Sequence, residues 1–177
     1  MRSLELRRHA PRHPDEDRLS HQGGRMAEQV GRGLSGPYEA IFTSTAKRAA
    51  ETAAFLLRGL DQKLPENHLV TDGLSSTIED RWRSAAKAAG TGRIDEVANQ
   101  DEELVREESS RLADAVRDLF ERIPDGAKGL GIGHSPLIEA AIYGLTGSVI
   151  EPLKECEGVL LEQANEKIRL TEEYRLP

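Results

Sequence analysis

"KGLGIGHSPLIEAAIYGL", residues 128–145, decides the fold. Lys128 to Gly133 reads as a glycine-rich strand carrying apolar Leu130 and Ile132. His134 comes next with no linker, and a helix follows at once. Ser135 is a good N-cap, because its hydroxyl accepts from a free N–H of the first turn. Pro136 suits the first helical position, where no N–H is needed. A strand running straight into a helix is the building unit of a parallel α/β sheet.

The same unit recurs outward from this stretch. Leu4 and Leu6 alternate with Ser3, Glu5 and Arg7, a short strand. Pro11 and Pro14 then hold the chain out of regular structure to about Asp17. Ser20 caps a helix to about Gly33 with Met26, Ala27, Val30 and Leu34 on one side, against the cost of Gly23 and Gly24 inside it. Glu39 to Ser44 is a second strand. Thr45 to Leu60 is a helix, since Ala49, Ala53, Leu56, Leu57 and Leu60 share a face. "NHLVTDGL", residues 67–74, holds a third short strand. "TIEDRWRSAAKAAG", residues 77–90, is helical with Trp82, Ala85, Ala86 and Ala89 inward and Gly90 as its stop. Asp101 to Ile123 is the most periodic segment, with Leu112, Val116, Leu119, Phe120 and Ile123 in one stripe. "GVLLEQ" and "IRLTEEY" form a strand pair joined at "ANEK". The expected fold is one α/β domain over 1–177, a three-layer sandwich with a mostly parallel central sheet and helices on both faces.

The chain has 177 residues, 37% hydrophobic and 31% charged, with net charge -7. Apolar residues are grouped and periodic, which excludes disorder. Acidic overall charge argues against a nucleic-acid partner. One cysteine, Cys156, builds neither a disulfide framework nor a cysteine zinc site. There is no apolar run of about 18 residues to span a membrane and no signal-peptide core, so the expected setting is cytoplasmic.

Within this acidic chain, cations collect at strand ends. Arg8 and His9 follow the first strand, Ser44 and Arg48 the second, and His134 the glycine-rich one. In parallel sheets ligands gather beyond the carboxyl ends of the strands. If these strands are neighbours, two arginines and two histidines converge there. The helix start near Ser135 adds free N–H groups and a positive dipole end. Arginine grips phosphate oxygens in a fork at any physiological pH, so a phosphate-sized anion is the fitting ligand. His9 and His13 stand four apart, but Pro11 between them breaks the helix a metal pair would need, and no metal or cofactor is expected. Arg7 reads as a solvated charge outside the chemistry, and Arg12 as a charge at the substrate rim.

Four stretches, in order, resemble the histidine phosphatase superfamily, also called the phosphoglycerate mutase-like family. "LELRRHA" resembles its strand with Arg-His-Gly, Ala10 replacing the glycine. "LSHQGGRMA" resembles the Leu-Thr-x-x-Gly-x-x-x-Ala helix start. "FTSTAKRAAETA" resembles Ser-Pro-Leu-x-Arg-Ala-x-x-Thr-Ala, matched by Ser44, Arg48, Ala49, Thr52 and Ala53. "GIGHSPLIEAA" resembles the Gly-His turn. The resemblance implies a phosphatase that needs no metal, with His9 as nucleophile forming a phosphohistidine that water hydrolyses. It implies Arg8, Arg48 and His134 around the phosphoryl oxygens, with Arg12, Ser44 and Ser135 binding substrate. The neighbouring arginines are expected to help keep His9 neutral, and a backbone carbonyl to fix its tautomer. The implied partner is a small phosphorylated metabolite or a phosphoprotein.

Two departures concern the general acid. Ser76 occupies the position of the family's usual Leu-x-Glu glutamate, and Ser135 the position where another branch carries aspartate. The remaining candidates are Glu79, Asp80 and Asp72, or no acid at all. Glu79 is carried as the catalytic one. Thr77 with Asp80 forms an approximate capping box, and acidic groups in a first turn also complement the dipole. Asp72, before Gly73, reads as a turn residue. A phosphoglycerate or phosphosugar mutase, and a phospholigand-binding module with little turnover, are the alternatives.

Overall fold

The computed structural model describes residues 1–177. Strands β1 (Arg2–Arg8), β2 (Ala40–Thr43), β3 (His68–Val70), β4 (Lys128–Gly133), β5 (Gly158–Ala164) and β6 (Lys167–Tyr174) form one sheet of order β3-β2-β4-β1-β5-β6. The β3-β2-β4-β1 part is parallel, while β5 and β6 are antiparallel. Helices are α1 (His21–Arg32), α2 (Lys47–Leu60), α3 (Glu79–Ala89), α4 (Ile94–Gln100), α5 (Glu102–Glu121) and α6 (Leu137–Thr146).

Two cores show the three layers. On one face Ile41, Leu130 and Ile132 pack with Ala27 of α1 and Ala49, Ala53, Leu56 and Leu57 of α2. On the other, Leu4, Leu6, Phe42 and Val159 pack with residues of α3 to α6. The glycines of β4 face this second core. A Cβ on Gly131 would stand 2.7 Å from Leu6 Cδ2. Glycine there lets the leucines of β1 fill the space beside β4. The glycines within α1 have a similar reason: a Cβ on Gly23 would lie 1.9 Å from the Pro11 carbonyl oxygen. The loop after β1 therefore lies against the start of α1, where the Ser20 hydroxyl accepts from Gly23 N at 2.9 Å. No helix is long and apolar enough to cross a membrane.

Several local expectations are corrected. The polar side of β1 is not solvated: Glu5 and Arg7 are buried, because β1 lies between β4 and β5 with both faces covered. Arg7 pairs with Glu5, donates to the Cys156 carbonyl at 2.7 Å and lies 4.9 Å above the Tyr174 ring. Glu5 also accepts from the Tyr38 hydroxyl at 2.6 Å and pairs with Lys128 at 3.0 Å. The α6 helix starts one residue later than expected, with Pro136 as N-cap, and Ser135 does not cap. Its hydroxyl instead pairs with the buried Glu139 carboxyl, whose Oε1 lies 2.6 Å away. The capping box at 77–80 does not form; Ile78 is the N-cap of α3, and Asp80 pairs with Arg83. Helix α4 and the 3-10 turn Asp72–Leu74 have too few apolar repeats to show a period.

Candidate active site

The order β2-β4-β1 brings the three carboxyl ends together. Arg8 pairs with Gly133 in register, and Thr43 with Ile132. Two further bonds extend the ladders past the strands: His9 N donates to Gly133 O and Ser44 N to Ile132 O, both at 3.1 Å. His9, His134 and Ser44 are thereby fixed by main chain at the sheet edge, and all three are buried.

A cavity of about 310 Å³ opens there, lined by His9, Arg48, Glu79, Trp82, Arg83, Ala86 and the segment His134 to Leu137. The rings of His9 and His134 have centroids 5.2 Å apart. His9 Nδ1 lies 2.7 Å from the Ala10 carbonyl oxygen. A carbonyl only accepts, so Nδ1 carries the proton and Nε2 keeps its lone pair. The Ala10 peptide is itself held, since Ala10 N donates to Thr52 Oγ1 at 2.9 Å. His134 is held from both nitrogens: Arg48 Nη2 lies 3.2 Å from Nδ1, and Ser44 Oγ 2.6 Å from Nε2. Guanidinium cannot accept, so Nδ1 takes the Arg48 proton and Nε2–H donates to Ser44.

Both imidazoles are neutral at physiological pH. Burial pushes His9 down to about 4, with Arg48 and Arg8 adding to the effect against the Ala10 hydrogen bond. Burial likewise pushes His134 down to about 3, helped by Arg48. The arginines act in the expected direction, but loss of hydration is the larger cause.

The arginines are aimed by acceptors at their edges. Arg48 is the second residue of α2, whose N-cap Ala46 has no capping side chain. Asp17 supplies the cap from the preceding loop, accepting from Lys47 N at 2.9 Å and from Arg48 Nη1 at 2.8 Å. Sequence reasoning missed Asp17, because a cap supplied from thirty positions away leaves no local pattern. Thr52, which the sequence marks only by its match to the motif, donates to Arg48 O at 2.7 Å. Arg8, expected around the phosphoryl oxygens, is not among the residues lining the cavity: Nη1 donates to Leu153 O at 2.7 Å, and Nη2 lies 3.9 Å from Glu155. Arg8 and Arg48 each keep a buried Nε without a hydrogen-bond partner.

Other expected residues separate cleanly. Glu79 opens α3 on the cavity wall, exposed. Ser135 lines the cavity and is half-buried. Ser44 reaches the site through His134. Arg12 is exposed in a bridge to Leu19, outside the cavity wall, because Pro11 and the α1 start turn the chain away. Asp72 and Asp80 are exposed and also outside it. Ser76, at the usual glutamate position, donates to buried Glu108 at 2.6 Å. Arg83 is a wall residue the sequence did not single out. A larger apolar groove of about 420 Å³ between α2 and β3 is lined by none of the expected site residues.

The model of the histidine phosphatase superfamily (branch 1) matches residues 5–168. No curated protein matches the chain. Among solved structures it is similar to a phosphoglycerate mutase from Bacillus anthracis str. Sterne, at 18% identity over 96% of this chain and 91% of that one, with TM-score 0.71. It is similar to a phosphoserine phosphatase from Entamoeba histolytica, at 17% identity over 99% and 98%, with TM-score 0.71. It is also similar to the protein histidine phosphatase SixA complexed with tungstate, at 15% identity over 98% and 96%, with TM-score 0.59. Identities this low carry the fold, and the three names differ in substrate. The family model spans the strand ends that build the cavity, and by that match the chain belongs to the histidine phosphatase superfamily.

Proposed function

We propose that the protein is a phosphatase that hydrolyses a phosphomonoester or a phosphorylated protein side chain through a phosphohistidine on His9, without a metal. One observation carries this reading: the Nδ1–H of His9 is tied to the Ala10 carbonyl at 2.7 Å, which leaves Nε2 as a neutral nucleophile on the cavity wall. Covalent catalysis splits the displacement into two easier steps. Nε2 attacks phosphorus, the leaving oxygen departs, and water then releases phosphate from His9. Arg48, held by Asp17 and His134, faces the phosphoryl oxygens without reorganising; His134, with both nitrogens engaged, positions Arg48, and Arg8 adds its charge. Two residues of the wall, Glu79 and Ser135, are the candidate proton donors to a leaving oxygen.

An aryl phosphate tests the reading. The expected outcome is turnover in the presence of a chelator, with an acid-labile phosphoenzyme that disappears in His9→Ala. Full turnover by His9→Ala would overturn the covalent route. Phosphate binding without turnover on aryl, sugar or protein phosphates would point to a binding module.

A further inference from the structure

Glu139 sits four residues after Ser135, on the first turn of α6. Ser135 lines the cavity with His9, Arg48 and His134, and its Oγ lies 2.6 Å from Glu139 Oε1. Glu139 is 1% exposed. Its Oε1 also accepts from Leu153 N at 2.8 Å, while its Oε2 is buried with no partner. Arg8, the cation that acts on Glu139, makes no ion pair with it and is engaged by Leu153 O and Glu155. A carboxylate so placed would carry an unhydrated charge on Oε2, a cost that protonation removes. Burial, the largest influence, raises the Glu139 carboxyl above its ordinary value. Glu79, by contrast, is exposed and makes no side-chain hydrogen bond that would fix its position.

We infer that Ser135 is the proton donor to the leaving oxygen and that Glu139 supplies the proton through it. This rests on the phosphatase reading above. In the first step the His9 Nε2 lone pair forms the N–P bond and the P–O bond breaks, its pair going to the leaving oxygen. That oxygen takes the Ser135 hydroxyl proton, and Ser135 Oγ takes the proton that neutral Glu139 carries on Oε1, 2.6 Å away, leaving a carboxylate. In the second step water oxygen attacks phosphorus and the N–P pair returns to Nε2. One water proton passes to Ser135 and the Ser135 proton to Glu139, which restores the starting state. A buried carboxyl relayed through a hydroxyl keeps the acid neutral beside a dianionic substrate.

The test separates leaving groups by pre-steady-state phosphoenzyme formation. A phenolate leaves without help; an alkoxide needs the proton. Glu139→Gln keeps an oxygen for Leu153 N and Ser135 but cannot give up a proton. It is expected to slow phosphorylation by an alkyl phosphate about 100-fold, the scale of general acid catalysis, and by an aryl phosphate no more than about 3-fold. Ser135→Ala should give the same pattern, and Ser135→Thr should restore the alkyl rate. Binding of inorganic phosphate, followed by calorimetry, reports whether each variant keeps the folded site. Equal losses on both esters would overturn the relay and leave Glu139 as the brace for Leu153 and Arg8. An alkyl-selective loss in Glu79→Gln, with none in Glu139→Gln, would also overturn it and assign the proton to Glu79. A wild-type protein that forms no phosphoenzyme with either ester would remove the phosphatase reading itself, an outcome visible before any variant is made.

Discussion

Arg7 and Arg8 are neighbours on β1, and strand geometry sends their side chains to opposite faces. Arg7 meets Glu5, the Cys156 carbonyl and the Tyr174 ring, and is 4% exposed. Its charge is answered inside the fold. Arg8 meets a neutral carbonyl and, at 3.9 Å, the half-exposed Glu155. Across the cavity, Arg48 is steered by a half-exposed Asp17 and a neutral His134. A buried cation with a buried counter-ion is architecture. Cations aimed by neutral acceptors and solvated carboxylates keep field to spare, and that field suits an arriving dianion.

The contrast breaks most visibly through activity. Arg48→Ala should lower kcat by about 100- to 1,000-fold, the scale for losing a preplaced donor to developing charge. Its effect on stability should stay within about 1 kcal/mol, since one partner is half-exposed. Arg7→Ala should do the reverse. Urea unfolding should show a loss of about 3 to 5 kcal/mol from the stranded Glu5 charge, moderated by Lys128, with kcat of the folded protein unchanged. If Arg7→Ala silences the enzyme while folded, or Arg48→Ala leaves it fully active, the division between the two clusters fails.

A third measurement sharpens it through pH. His9 titrates at about 4 in the folded protein against an ordinary value of 6.5, so the unfolded chain binds the proton first. Its contribution to stability is complete above pH 6.5 and is lost as pH falls through that value toward 4. Glu139, raised by burial, works in the opposite sense, so the informative quantity is a difference. Between pH 7 and 4.5 the wild type should lose on the order of 2 kcal/mol relative to His9→Asn, followed by urea unfolding at each pH. A pH-independent difference would mean that His9 is not held neutral by its surroundings.

The strand-end cluster was legible in the sequence because strand periodicity and abrupt βα junctions place residues at one sheet edge without knowledge of contacts. Arg8, His9, Ser44, Arg48 and His134 all depend on that rule alone. What the sequence could not show depends on pairs far apart in the chain. Alternation along Leu4 to Arg7 suggests one wet face, but the second face of β1 is covered by elements whose position no local pattern reveals. Ser135 looks like a cap because capping is a local preference; a buried carboxyl one turn on pairs with the hydroxyl instead. Arg12 was expected near substrate from its place in the cluster, and the turn at Pro11 sends it elsewhere.

Asp17 tests the finest part of the contrast, because it joins the fold to the site. It caps α2 through Lys47 N and steers Arg48 through Nη1, and those bonds hold its carboxyl below the ordinary value against the opposing effect of partial burial. Asp17→Ala removes both. Loss of a cap costs about 1 kcal/mol. Arg48 would remain tethered by His134 Nδ1, so kcat should fall only about 10-fold, less than for Arg48→Ala. Asp17→Asn retains an oxygen for the cap but not the charge. It should recover most of the stability and little of the rate, because Arg48 would have a neutral amide to pair with in place of a carboxylate. Recovery of both would make Asp17 a cap alone, and would place the aiming of Arg48 on His134.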